Sequence, residues 1–408
     1  MTIDEKHVAD LLRQLEDEPD RPSRIDLARA IREARRRRRN RRAGAAGAAA
    51  LGVLAFAALP VALHPRQSVE PPERAVVSGA PTPGPASPSP RPPVCKGEYL
   101  PVPVKGRSLV TGGDPSGRWL AGRLYPGGMS HPIVLWHDGK PEKVTLPGSD
   151  QRMLDVNRDG LAVGETFVGN RSQAWSVRAG RASRLPVDGG AGATAVNDTG
   201  RIVGFRQVGD RQLPVVWKSP QSRAVDLPLP GPRWEGTAVG IGEDGTVVGK
   251  VADGPSGDLR AAIWRTGSSR PELLPLPSLP DGVAFQFAPG SLAGDWVVGT
   301  AYRELDPGRA RTGWQLYPTR INIRTGKSVV LTDPFHVEVG NDRGWLAGQA
   351  RGKVVVLHTE AGLRELPRPG GGGAAVGAVS SMSDDGHVLG GQLDLGDLQF
   401  RAVRWTCR

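Results

Sequence analysis

One phrase returns seven times along the chain and constrains the fold more tightly than any compositional average. It reads DPSGRWLAG from Asp114, VNRDGLAVG from Val156, VNDTGRIVG from Val196, IGEDGTVVG from Ile241, LAGDWVVG from Leu292, GNDRGWLAG from Gly340 and MSDDGHVLG from Met382. Each copy is an Asn/Asp-rich turn with glycine, then a short apolar strand closed by another glycine. Asn, Asp and Gly accept positive φ at tight turns, so the composition of the turn has a mechanical reason. The fifth copy is contracted and lacks the pre-strand glycine at the register of the others. The copies recur at roughly the 40-to-50-residue step of a propeller blade.

Two further strand signals follow each turn. An apolar strand usually ends in tryptophan, at Trp136, Trp175, Trp217, Trp264 and Trp405; copies five and six carry TRINI and KVVVL instead. A last strand then carries Leu-Pro, ending at Pro147, Pro186, Pro228, Pro275 and Pro367. With the strand before the turn, each copy holds four antiparallel strands, and the proline strand belongs at the outer edge because proline cannot donate to a ladder. Many short strands joined by many turns also reconcile 55 glycines and 37 prolines with 38% apolar residues and ten tryptophans. The prediction is an all-β, seven-bladed β-propeller over residues 95–408.

The seventh copy ends at Trp405-Thr406-Cys407-Arg408 without its Leu-Pro strand, and the segment from Cys95 to Pro103, CKGEYLPVP, has that signature with no strands before it. The amino-terminal segment is therefore expected to complete the last blade and close the ring. Aligning Leu100 with Leu227 and Trp405 with Trp217 places Cys95 and Cys407 where Ser222 and Ser219 face each other in copy three. A disulfide between the only two cysteines follows from that alignment.

Ahead of the repeats the chain changes character. The net charge of +11 is not one patch: residues 1–43 carry 13 Lys/Arg against 9 Asp/Glu, with seven arginines between Arg35 and Arg42, and the rest is a diffuse 40 against 33; the run adjoins the uncharged stretch Gly44 to Leu63. Those twenty residues, as a helix, span about 30 Å, one hydrocarbon core. The arginines would hold the amino end in the cytoplasm. The expected layout is a cytoplasmic tail over 1–43, a single-pass transmembrane helix over 44–63, a Pro-rich stalk over 64–94 and an extracellular propeller. The competing reading of 44–63 is a cleaved signal peptide with Ala55-Phe56-Ala57 as the small-x-small site. The basic run has a local, topological cause, so nucleic acid is not an expected partner. In the tail, Ile3, Val8, Leu11, Leu12 and Leu15 share one helical face, which reads either as part of a solvated tail or as a docking helix for a cytoplasmic protein.

The repeated phrase, closest at ATAVNDTGRIVG (Ala193 to Gly204) and VDLP (Val225 to Pro228), resembles the bacterial HAF-type extracellular repeats, and in weaker form from Leu109 to Trp405. The His-Ala-Phe element itself is absent; HPIVLW at His131 keeps the histidine alone. The resemblance implies architecture and surface location, and no activity.

The seven histidines show no HExxH or His-x-His spacing, the turns lack the alternating register of calcium loops, and no Gly-x-Ser-x-Gly elbow or phosphate loop occurs after the stalk. Neither enzyme chemistry nor a cofactor or metal is expected. The strand tryptophans read as wedges between blades. Trp234 and Trp314 fall outside that pattern, in PGPRWEG between blades three and four and in the insertion YRELDPGRARTGWQLYP of blade five. With Tyr302, Arg309, Arg311 and Tyr317 they form the candidate binding set, on the rim that carries the inter-blade loops. The alternative is that these side chains cover the insertion's own apolar residues. Two functions fit: an anchored binding module for an envelope ligand or protein, or a transmembrane regulator acting through its tail.

Overall fold

The computed structural model describes residues 92–127, 131–255, 257–305, 314–333, 335–371 and 375–408. The tail, the proposed span, nearly all of the stalk, and Arg309 and Arg311 lie outside them. Among the described residues no helix is long and apolar enough to cross a membrane; the one helical element is a 3-10 turn, Arg351–Lys353.

Seven four-stranded antiparallel sheets form the ring. Blade 1 runs Arg107–Gly113, Trp119–Tyr125, Ile133–His137 and Lys140–Val144; blade 2 runs Ser149–Val156, Ala162–Val168, Arg171–Arg178 and Arg181–Arg184. Blade 3 holds Ala191–Val196, Ile202–Val208, Arg211–Trp217 and Val225–Asp226, and blade 4 holds Trp234–Ile241, Val247–Asp253, Arg260–Trp264 and Glu272–Leu273. Blade 5 is Gln286–Ala293, Trp296–Glu304, Trp314–Asn322 and Ser328–Val330; blade 6 is His336–Gly340, Leu346–Gln349, Val355–Thr359 and Gly362–Glu365. Blade 7 takes Gly377–Met382, Val388–Gly396 and Gln399–Cys407 from the carboxyl end and Cys95–Tyr99 from the other end. A small hairpin, Ser278–Leu279 with Gly282–Val283, sits between blades 4 and 5.

The repeated phrase is the connection from the first to the second strand. Six of its turn glycines, 117, 160, 200, 245, 344 and 386, have φ between 69 and 88°, the left-handed region that excludes most side chains. In the contracted fifth copy, Ala293 pairs with Trp296 across a two-residue Gly294-Asp295 link, with Gly294 at φ 55°. The closing glycine has a separate cause. Every first strand bulges by one residue at the same register. A Cβ on Gly122, Gly164, Gly204 or Gly299 would collide with the carbonyl oxygens of Leu109, Arg152, Gly192 and Ala288 on that first strand.

The core is a ring of seven apolar clusters, one at each seam between blades. Four seams share a further device. Trp136, Trp217, Trp264 and Trp405, buried to within 3% of full enclosure, donate their indole N–H to the carbonyls of Pro101, Pro186, Pro228 and Pro367 on the preceding blade's outer edge, at 2.6 to 2.9 Å. The repeated tryptophan and the repeated Leu-Pro are thus two halves of one latch, which wedges apolar bulk into the seam and satisfies the buried indole. Trp175 does not belong to the set. Val177 holds the latch register, opposite Ala162, and Trp175 sits two residues earlier, opposite Gly164, with its indole N–H unpartnered. At that seam the Pro147 carbonyl takes the Thr166 hydroxyl instead.

The ring closes as the repeats predict. Cys95–Tyr99 pairs antiparallel with Val403–Cys407, Cys95 opposite Cys407, and the two are disulfide-bonded across 312 positions of sequence. Val94 and Arg408 exchange backbone hydrogen bonds beyond it. The equivalent position in blade 3 is a turn in which the Ser222 N–H reaches the Ser219 carbonyl at 3.1 Å.

Candidate functional site

The first strands of all seven blades line a central channel of about 410 Å³. At most seams these strands are stitched across by side chains at or beside the bulge. Thr111 donates its hydroxyl to Met153 O, Thr194 to Ala238 O, Asp155 accepts the Val196 N–H at 2.8 Å, and Glu338 accepts the Val379 N–H at 2.9 Å. On the face of the Asn/Asp turns, Asn157 and Asn197 donate to the carbonyls of the next turn, Asn197 and Gly242, each at 3.0 Å. Arg158 pairs with both Asp198 and Asp384.

Among the described residues no such side-chain tie joins the first strands at the seam between blades 5 and 6, as at the 4/5 and 7/1 seams; what crosses it is the Thr300–His336 contact at 3.4 Å. Blade 5 puts Gly290 at the bulge, where other blades place Thr111, Leu154, Thr194, Val239, Glu338 or Ser380. At the latch register of blade 6 stands His358, opposite Leu346, and the preceding blade offers Leu331-Thr332 where others have Leu-Pro. His358 Nε2 lies 3.6 Å from Asp333 Oδ2. Burial holds its pKa below the ordinary value despite that carboxylate, so the ring is neutral at neutral pH and the pairing is weak. A solvent-open pocket of about 110 Å³, lined also by Arg320, Arg343 and Glu360, adjoins His358. The seam's cluster holds six buried residues among those described, with Phe335 as its only buried aromatic. The seam between blades 4 and 5 also lacks a latch, yet packs twelve, including Phe287, Tyr317 and Ile321.

Where side chains are small a cleft opens. A cavity of about 380 Å³ on the face of the inter-blade loops is lined by Gly290, Thr300, Tyr302, His336, Glu338 and Ser380, among others. It shares Gly290, Glu338, Val339 and Ser380 with the channel wall. A Cβ on Gly290 would meet only carbonyl oxygens, at 3.6 and 3.7 Å, so the opening is real space that a larger residue would fill. Burial pushes the Glu338 carboxyl up to about 7, pushes the His336 imidazole down and the Tyr302 phenol up. The His336 Nδ1 is 3.4 Å from the Thr300 hydroxyl. At the rim Trp314, 44% exposed, stands edge-on to Tyr302 at 6.3 Å between centroids and packs at 5.6 Å against Phe285.

Of the residues singled out in the sequence, Tyr302 and Trp314 come together here. Trp314 opens the third strand of blade 5, where it pairs with Glu304. Tyr317 is 3% exposed and belongs to the blade 4/5 core, so it presents no surface. Trp234 opens the first strand of blade 4 and packs on the apolar cluster of the blade 3/4 seam, its carbonyl accepting from Arg211. No ring contact among the described residues joins it to Trp314. Phe285, Thr300, His336 and Glu338 carry no motif. Their one signal is positional, since Glu338 stands in the register that Thr111 and Thr194 occupy in blades 1 and 3.

No family model matches the sequence, and no curated protein matches it. Among solved structures the chain is similar to TolB from Acinetobacter baumannii, at 13% identity over 75% of this chain and 65% of that one, with a TM-score of 0.39. It is also similar to the β-propeller domain of the Trilobed protease from Pyrococcus furiosus (12% identity, 73% and 95% covered, TM-score 0.47). A third is oligogalacturonate lyase from Vibrio parahaemolyticus (10% identity, 77% and 91% covered, TM-score 0.46). Likeness at this level concerns the fold, and the blade count rests on this chain's own strand order.

Proposed function

We propose that this chain is a membrane-anchored, extracytoplasmic binding protein that presents its propeller to an envelope ligand, with the blade 5/6 cleft as the seat. The observation that carries the reading is the coincidence, at one seam, of an open cleft and an aromatic rim with a half-exposed tryptophan. Aromatic anchors beside a concavity are the usual makings of a binding hot spot. The uncharged stretch Gly44 to Leu63 beside the arginine run supports the anchor, and the resemblance to HAF-type repeats supports the surface location.

The test is capture from solubilised envelope fractions by the full-length chain in detergent. Trp314→Ala is expected to lose most of the captured material and Trp234→Ala to retain it. Equal capture by wild type and Trp314→Ala would remove the cleft from the function.

A further inference from the structure

We propose that the blade 5/6 cleft receives a small organic cation, a protonated or quaternary amine, held between the aromatic wall at Tyr302 and the carboxylate of Glu338. The proposal rests on the cleft being the ligand seat and adds what kind of ligand it takes.

The lining carries one acid and neither lysine nor arginine. Glu338 has one oxygen engaged by the Val379 N–H at 2.9 Å, and no cationic side chain pairs with it among the described residues. Burial raises its proton affinity to about 7, which means that the ionised form lacks compensation that a bound cation would supply. His336 is no substitute, because burial lowers its pKa and leaves it neutral at neutral pH. Arg303, next to Tyr302 in sequence, is committed elsewhere, to Asp281 at 3.0 Å and Gln315 at 2.9 Å.

The aromatic side of the site has matching chemistry. Tyr302 lines the cleft and is backed by Trp314 and Phe285. The negative faces of such rings attract an ammonium group, more strongly once it leaves water. An anion would meet the carboxylate with no donor cation, and a neutral polar ligand would leave the carboxylate as uncompensated as before. The volume, about 380 Å³, lies at the small end of ligand pockets and suits a single compact ligand.

The experiment is calorimetric titration of the full-length chain in detergent micelles at pH 8, with choline and with 3,3-dimethylbutan-1-ol, its uncharged isostere. Choline is expected to bind saturably at one site, with the isostere weaker by about tenfold or more. Glu338→Gln, which keeps an acceptor for the Val379 N–H, is expected to weaken choline by a similar factor. Gly290→Leu, which occupies the cleft without touching a charge, is expected to abolish binding. Equal binding of choline and the isostere, or choline binding indifferent to Glu338→Gln and to Gly290→Leu, would overturn the proposal. If neither probe binds while envelope capture still depends on Trp314, the amine class fails and the binding reading stands. If Trp314 is also dispensable, both fail.

Discussion

The seam between blades 2 and 3 and the seam between blades 5 and 6 join the same kind of sheet by different means. At the first, Trp217 fills the gap and donates to Pro186, Asp155 takes the Val196 N–H, and Asn157 reaches the Asn197 carbonyl. At the second, His358 replaces the tryptophan beside an open pocket of about 110 Å³, Gly290 replaces the bulge side chain, and six buried residues make up the described cluster. The contrast predicts that this interface is looser than the four latched ones, which hold the closure. The loose interface is also where a cleft with aromatic and ionisable groups is found. Binding surfaces tend to occupy the low-stability end of a structure for the same reason.

The comparison predicts unequal penalties. Trp217→Ala removes a fully buried wedge and one of the two donors to the Pro186 carbonyl, so chemical denaturation should show a loss of about 3 to 5 kcal/mol. His358→Ala should cost less, about 1 to 2 kcal/mol, since it removes a weak pairing and a stack on Phe335 but no indole latch. Comparable losses from the two would break the contrast between latched and unlatched seams.

Loss of the disulfide comes next. Cys95→Ser removes a link across 312 positions of sequence while leaving the Cys95–Tyr99 strand paired. Denaturant titration should report a fall of about 3 to 4 kcal/mol, below the entropic ceiling for so long a loop because the paired strand already limits opening. A loss of the ring's cooperative transition would instead make the disulfide, and not the strand, the closure.

Glu338 sharpens the account through pH. Its folded pKa is raised to about 7 from an ordinary 4.5, so the stability it contributes is present below the ordinary value and lost as pH rises through 7. Glu338→Gln should therefore gain up to about 2 to 3 kcal/mol on wild type at pH 8 and nothing at pH 4. Asp155, across the channel and also raised to about 7, titrates in the same window and remains in the variant, so part of the slope persists. An unchanged pH profile in the variant would mean that Glu338 is not buried as described.

Smallest is the effect of restoring a latch. His358→Trp should extend over the adjoining open pocket and stabilise by about 1 kcal/mol, read as a rise in denaturation midpoint. Destabilisation would show that the seam is shaped around histidine.

Much of this fold was legible because its repeats repeat a mechanism. The turn glycines need positive φ, the closing glycines admit the bulge, and the Trp and Leu-Pro signals meet as a latch, so counting phrases counted blades. The alignment also carried Cys95 to Cys407, because matched copies share a strand register. Where copies diverge, the reading slipped. In copy two the strand-ending tryptophan reads as Trp175, although Val177 holds the latch register and Trp175 lies two residues off, since an apolar strand offers two same-face positions. The cleft was half legible. Tyr302 and Trp314 stood out as aromatics in the insertion region, but Tyr317 projects into the core from the same strand as Trp314, and strand direction alone could not separate them. Glu338 and Gly290 carry meaning only by comparison with the bulge residues of the other blades, and the bulge itself has no sequence mark.

The central claim, that the blade 5/6 seam is the looser one and carries the ligand, is tested most directly by hydrogen–deuterium exchange on the full-length chain, resolved by peptide. The account predicts that amides of Gln286–Ala293 and His336–Gly340 exchange faster than those of Ala191–Val196 and Trp234–Ile241, and that choline slows the first pair alone. Uniform protection around the ring, or fastest exchange at the disulfide-closed blade 7, would contradict it.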